Sequence, residues 1–184
     1  FSDKIMEEHH LSEAEIKRKI DAAMNWDKGV EQFGGDDEMF LGMVGKFESL
    51  TFDEGLKKMH SSISDQNWQG VRDVSHAIKG ASSYIAATAV QELCLQMQLR
   101  CDSFFKQVEA GKDSPKLRYN LETDICELFL ALMVESKYLK QHLSRYTKQR
   151  CDLSKIDMYE STIRAKYNSR PPPPQDCGCC KIFQ

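Results

Sequence analysis

Proline all but disappears from the first 170 residues of this chain. Pro115 stands alone, and the other four prolines form one run at 171 to 174. Proline lacks a backbone N–H and its ring clashes with the preceding helical turn, so a stretch this free of it can carry one helix after another. The apolar residues agree. No window alternates apolar and polar residues between turn signals, as a half-buried strand would, whereas helical spacing recurs throughout. "SEAE" reads as a capping box with Ser12 as cap and Glu15 three residues on, opening a helix that runs toward Trp26. "FGGDDEMF" breaks it, and Asp36 or Asp37 caps the next helix, whose stripe is Phe40, Met43, Val44 and Phe47. A further segment, about 52 to 63, sets Phe52, Leu56, Met59 and Ile63 at helical spacing before "SDQN" interrupts.

The next helix spans about 67 to 85. Thr88 and Gln91 read as a second capping box, opening a helix that ends at Gly111. Ser114 caps a helix that starts on Pro115 and is marked by Leu117, Leu121, Ile125, Leu128, Leu132 and Leu139. After 151, Leu153, Ile156, Tyr159 and Ile163 mark one more. Long amphipathic helices on short connections favour antiparallel neighbours. The expected fold is therefore all-α: an up-down-up-down four-helix bundle over 25–150, an extra helix within 1–24, a helical extension over 151–169, and a flexible proline- and cysteine-rich tail from 170 to 184.

Charge and cysteine usage exclude several function classes. A formal net charge of −3, with no clustered basic face, does not suit nucleic-acid binding. No apolar run approaches the roughly 20 residues of a membrane span. The polar opening "FSDKIMEEHH" is not a secretory signal, and a start on Phe1 reads as an excerpt or a processed form. Seven cysteines, an odd count, read as reduced thiols in an intracellular, cytoplasmic protein. Cys94, Cys101, Cys126 and Cys151 fit small core positions. Cys177, Cys179 and Cys180 crowd the tail; a prenylation box needs cysteine fourth from the end, where Lys181 stands, so acylation of these three is the remaining route to a membrane. No metal site is expected, since His9, His10, His60 and His142 lack partners at ligand spacing.

"DVSHAIKGASSYIAA", residues 73 to 87, carries the chemistry. At 100° per residue, Val71, Val74, Ile78, Ala81 and Ile85 fall within an arc of about 80° that must face the core, and His76 points roughly 180° from its centre. Arg72, Lys79, Gly80 and Ser83 lie within about 60° of His76 on the outer face. A solvated polar face is the bland explanation. Against it, Lys79 is one turn away and can neutralise an anion held at the imidazole. Gly80 costs a helix roughly 1 kcal/mol relative to alanine, which suggests that something approaches closely there. An exposed imidazole beside a cation and an open position suits a nucleophile that handles phosphate.

These residues also resemble a known family. "HAIKGAS" is similar to the signature of the histidine-containing phosphotransfer (HPt) domain, "FGGDDEMFLGMVGKF" resembles the helix ahead of the histidine, and "LCLQMQ" the helix after it, together covering about 25 to 140. The resemblance implies that His76 is the phosphoacceptor, Lys79 the cation supporting the phosphate, Gly80 the clearance residue and Gln98 a hydrogen-bond partner of the imidazole. Arg72 and Ser83, with Met39 and Leu41 on the preceding helix, are the expected partner contacts. At Ala86 the chain departs from the family, which frequently has glycine there. The implied activity is a shuttle of phosphoryl groups between aspartates of receiver domains, those of hybrid histidine kinases and response regulators, in a multistep phosphorelay. With no glycine-rich phosphate loop and no carboxylate cluster, the chain is expected to bind no cofactor; Mg²⁺ and the reacting aspartate would belong to the receiver. A cytoplasmic monomer is expected, with the nucleus, or a membrane reached through the tail, as further locations. The alternative is a helical adaptor that binds a receiver without phosphotransfer; the combination of His76, Lys79 and Gly80 argues against it.

Overall fold

Local caps start most of the helices in the computed structural model, which describes residues 11–147 and 150–174. Ser12 and Glu15 form the expected capping box ahead of α1 (Glu13–Ala22). Asn25 accepts from the Lys28 amide and opens α2 (Trp26–Gln32), and Asp36 accepts from the Met39 amide and opens α3 (Asp37–Lys46). A π-helical segment, Phe47–Phe52, leads into α4 (Asp53–Ser64). Asn67 caps α5 (Trp68–Tyr84) through the Gly70 amide. Then follow α6 (Thr88–Glu109), α7 (Pro115–Thr147) and α8 (Ser154–Asn168). All regular structure among the described residues is helical, and no helix there is long and apolar enough to cross a membrane. Cys177, Cys179 and Cys180 lie outside the described residues.

The principal packed pairs are α5 on α6, α6 on α7, α4 on α5 and α7 on α8. Phe52, Ile78, Met97 and Phe129, one from each of four successive parts of the chain, are fully buried at their centre. At about 2 kcal/mol for each large apolar side chain taken out of water, this shared interior holds α5 in place. Cross-pairs give the directions. Arg72 meets Asp102 while Lys79 meets Gln98, so α5 and α6 are antiparallel. Lys137 meets Glu160 while Tyr167 meets Glu127, so α7 and α8 are antiparallel as well. The flanking helices are pinned to α7 by polar contacts: His142 Nδ1 lies 2.8 Å from the Ile20 carbonyl of α1, and Arg170, just beyond α8, reaches Glu122 and Thr123.

Four sequence expectations are corrected. The first helix does not continue to Trp26. It ends at Ala22, because Ala23 and Met24 turn into the core and Asn25 restarts the chain as α2. Residues 37 to 64 are one continuous helical run rather than two helices. Phe47 and Phe52 would stand about 140° apart on an α-helix, whereas the i→i+5 pattern brings them toward one face. Both are buried, with their rings stacked 5.2 Å apart. Thr88 is not a cap. Ala87 holds that position without a side-chain bond, and Thr88 is the first helical residue.

The fourth correction concerns α5. Its fully buried positions include Ser75 and Ser82, while Val74 and Ala81 are only half-buried. The core arc is therefore centred on Val71, and His76 stands about 140° from it rather than opposite. His76 remains exposed, but Arg72 and Lys79 are turned toward α6.

Candidate functional site

The end of α5 sets the geometry of the site. The Ala86 amide bonds to the Ser83 carbonyl and the Ala87 amide to Ser82, the paired bonds of a Schellman closure. This closure needs a left-handed residue at its penultimate position, and Ala86 takes it with φ of +56°. Alanine there is strained where glycine would not be. The tight closure returns α6 directly alongside α5, and the Ala86 carbonyl accepts from the Asn25 amide, tying the corner before α2 to the same turn.

Five side chains then meet across the α5–α6 seam. His76 is exposed, and its Nδ1 lies 3.3 Å from Gln98 Oε1. Lys79 Nζ donates to the same oxygen at 2.9 Å. One helical turn away, Gln98 Nε2 donates to Asp102 Oδ2 at 3.4 Å, and Arg72 Nε donates to Asp102 Oδ1 at 2.5 Å. Arg72 also pairs with Asp73. The hydrogen bond from Arg72 holds the Asp102 carboxyl below the usual carboxylate range, and in return Asp102 and then Asp73 raise the guanidinium.

This arrangement favours one imidazole tautomer. The Gln98 carbonyl oxygen can only accept, so the 3.3 Å approach of His76 Nδ1 is a hydrogen bond when Nδ1 carries the proton. Nε2 then bears the free lone pair. Beside it, Gly80 leaves open space: a Cβ at that position would meet no heavy atom within 4 Å. The Ser83 hydroxyl donates to the Gly80 carbonyl at 2.6 Å, so its proton is already engaged. Met39 and Leu41 are exposed on α3 but take no part in this network.

The remaining candidate nucleophiles are unsuitable. Burial pushes the Cys94 and Cys101 thiols up to about 12 and Cys126 to about 11, which keeps them protonated and inert. His60 is half-buried and His142 buried, and desolvation lowers the pKa of both. Among the described residues, His76 is the exposed histidine, and no group of three His, Cys, Asp or Glu is placed to hold a metal ion. Sequence reading missed Asp102, although it follows Gln98 by one turn just as Arg72 precedes His76 by one. It also missed two exposed apolar side chains, Leu99 next to Gln98 and Tyr84 two turns beyond His76.

Residues 49–136 match the family model for the Hpt domain. The matched span runs from the π-helical segment through most of α7 and contains His76, Lys79, Gly80 and Gln98. Neither a search of curated proteins nor one of solved structures gave a match.

Proposed function

This chain is an Hpt domain protein, and we propose that His76 is its phosphoacceptor, passing phosphoryl groups between aspartates of receiver domains. Hpt domains act in histidine phosphotransfer within two-component phosphorelays and interact with the receiver domains of kinases and response regulators. One observation carries the assignment to His76. An exposed imidazole has its Nδ1 held by Gln98, shares that contact with the Lys79 ammonium, and stands beside the unobstructed Gly80.

The chemistry asks little of the chain beyond placement and charge. Nε2 of His76 attacks the phosphorus of an aspartyl phosphate. The N–P bond forms as the P–O bond to the aspartate breaks, and the carboxylate leaves with the electron pair. The ring gains positive charge, which Gln98 Oε1 stabilises by accepting the hydrogen bond from Nδ1–H. Lys79 neutralises the phosphoryl oxygens, its Nζ having three donors of which Gln98 takes one. Reversal returns the group to a second aspartate. Mg²⁺ and the aspartate belong to the receiver. Gly80 clears the approach, and Arg72, Ser83, Met39 and Leu41 contribute to the receiver contact. The protein acts as a cytoplasmic monomer, with acylation at Cys177, Cys179 or Cys180 as its route to a membrane.

The test is incubation with a phosphorylated receiver domain. Acid-labile label appearing at His76 is the expected result, and label elsewhere or none overturns the assignment. For the tail, fractionation of cells expressing the chain with and without residues 175–184 decides the matter; equal solubility of the two forms ends the membrane reading.

A further inference from the structure

Lys79 faces conflicting demands. In the unphosphorylated protein it helps to orient the Gln98 amide, by donating to Oε1. Once a phosphoryl group sits on His76, the same ammonium is drawn to it. Gln98 must nevertheless keep its oxygen on His76 Nδ1: with Nε2 occupied, a turned amide would set its N–H against the ring N–H, and in the unphosphorylated protein it would favour the other tautomer. A second group has to hold the amide, and the seam contains one. Asp102 accepts from Gln98 Nε2. A turned Gln98 would set its oxygen against that carboxylate, acceptor against acceptor.

We propose that Asp102 is a positioning residue for His76: through the Gln98 amide it keeps the imidazole protonated at Nδ1 and Nε2 free to be phosphorylated. The inference rests on the reading of His76 as acceptor. Arg72 occupies the other carboxylate oxygen, Oδ1, and leaves Oδ2 for Gln98. The direction of the Asp102 pKa shift agrees, because a carboxyl held below its ordinary range stays ionised and accepting across the neutral range. The side chain is also placed to act without being part of the core, since about a quarter of its surface, 27%, is exposed.

A purely structural role, pairing α5 to α6, makes a different forecast, and two variants separate the two. Asp102→Leu and Arg72→Leu each delete the same ion pair. Only the first removes the acceptor from Gln98. The measurement is the tautomer of His76, read from the two imidazole ¹⁵N resonances of the full chain, together with the rate of labelling by phosphoramidate. Asp102→Leu should draw the two resonances toward one another as the second tautomer populates, and should slow labelling by about fivefold, the worth of one ordinary hydrogen bond. Arg72→Leu should leave the tautomer close to that of the parent. Asp102→Asn, which keeps a carbonyl acceptor, should restore most of the rate; circular dichroism checks that all three fold. The proposal is overturned if the two leucine variants shift the tautomer alike, or if neither does. Its failure is distinguishable from that of the phosphoacceptor reading: the latter fails when the parent protein takes no label at His76, whatever the ¹⁵N spectrum shows.

Discussion

A side chain added at position 80 should make this protein more stable and a worse phosphate carrier at once. Gly80 has ordinary helical backbone, and a Cβ there meets nothing within 4 Å. Gly80→Ala therefore gains the full helix-propensity difference of about 1 kcal/mol. For a chain of this size that is about 2–4 °C in Tm. Gly80→Gln should gain slightly less. The side chain nevertheless stands one turn from His76, in the path a receiver aspartate must take to come within reach of Nε2. Transfer from a phosphorylated receiver should slow at least tenfold in Gly80→Gln, about 1.4 kcal/mol of barrier, whereas labelling by phosphoramidate, which needs no docked protein, should keep its rate. Gly55 on α4 is the control beneath the same helix. A Cβ there would lie 2.8 Å from Ile78 Cδ1, a fully buried side chain, so Gly55→Ala should cost about 1–3 kcal/mol by overpacking. Thermal unfolding and the two transfer assays read all of this. A Gly80→Gln protein that exchanges with the receiver at the parental rate, or one slowed equally with both donors, would refute close docking over position 80.

Other outcomes follow from the same geometry. His76→Gln should leave helical content and Tm nearly unchanged, because the side chain is exposed, and should abolish acid-labile label; persisting label would name another acceptor. Ala86→Gly should relieve the left-handed strain at φ +56°, and, after glycine's own entropy cost, urea titration should show a net gain of about 0.5 kcal/mol; a loss would mean that the buried methyl matters more than the strain. Acid should weaken the fold through half-buried His60 and buried His142. Desolvation sets the folded pKa values of His60 and His142 below their unfolded value, so the unfolded chain binds protons more readily, and stability is intact above about pH 6.5 and falls below it. Tm measured near pH 5.5 should be lower than near pH 7.5, and an equal or higher value would contradict this assignment.

Much of the architecture was legible because it is encoded locally. A cap works through hydrogen bonds to amides two or three residues away, so Ser12, Asp36 and Ser114 could be read directly. The apolar stripe from Phe52 to Ile63 needed only the helical period. The π-helical segment was not legible, because it exists to bring Phe47 and Phe52 to one interior, and that interior is assembled from distant helices. Thr88 misled for a related reason. Its composition suits a capping box, but the closure of α5 through Ala86 and Ala87 had already claimed the preceding positions.

For the candidate site, the sequence by itself determined that His76 lies on the polar side of a long helix with Lys79 and Gly80 as neighbours, since residues three and four apart on a helix must be adjacent. Family resemblance added Gln98. Only the tertiary structure decided how far α5 is rolled, turning Ser75 and Ser82 inward and Arg72 and Lys79 toward α6. It alone joined Arg72 to Asp102, thirty positions along the chain, and through Gln98 to His76. Helical period specifies which residues share a face but not which face of a neighbouring helix they will meet. That depends on the packing of side chains from several helices, and with it which polar groups reach His76.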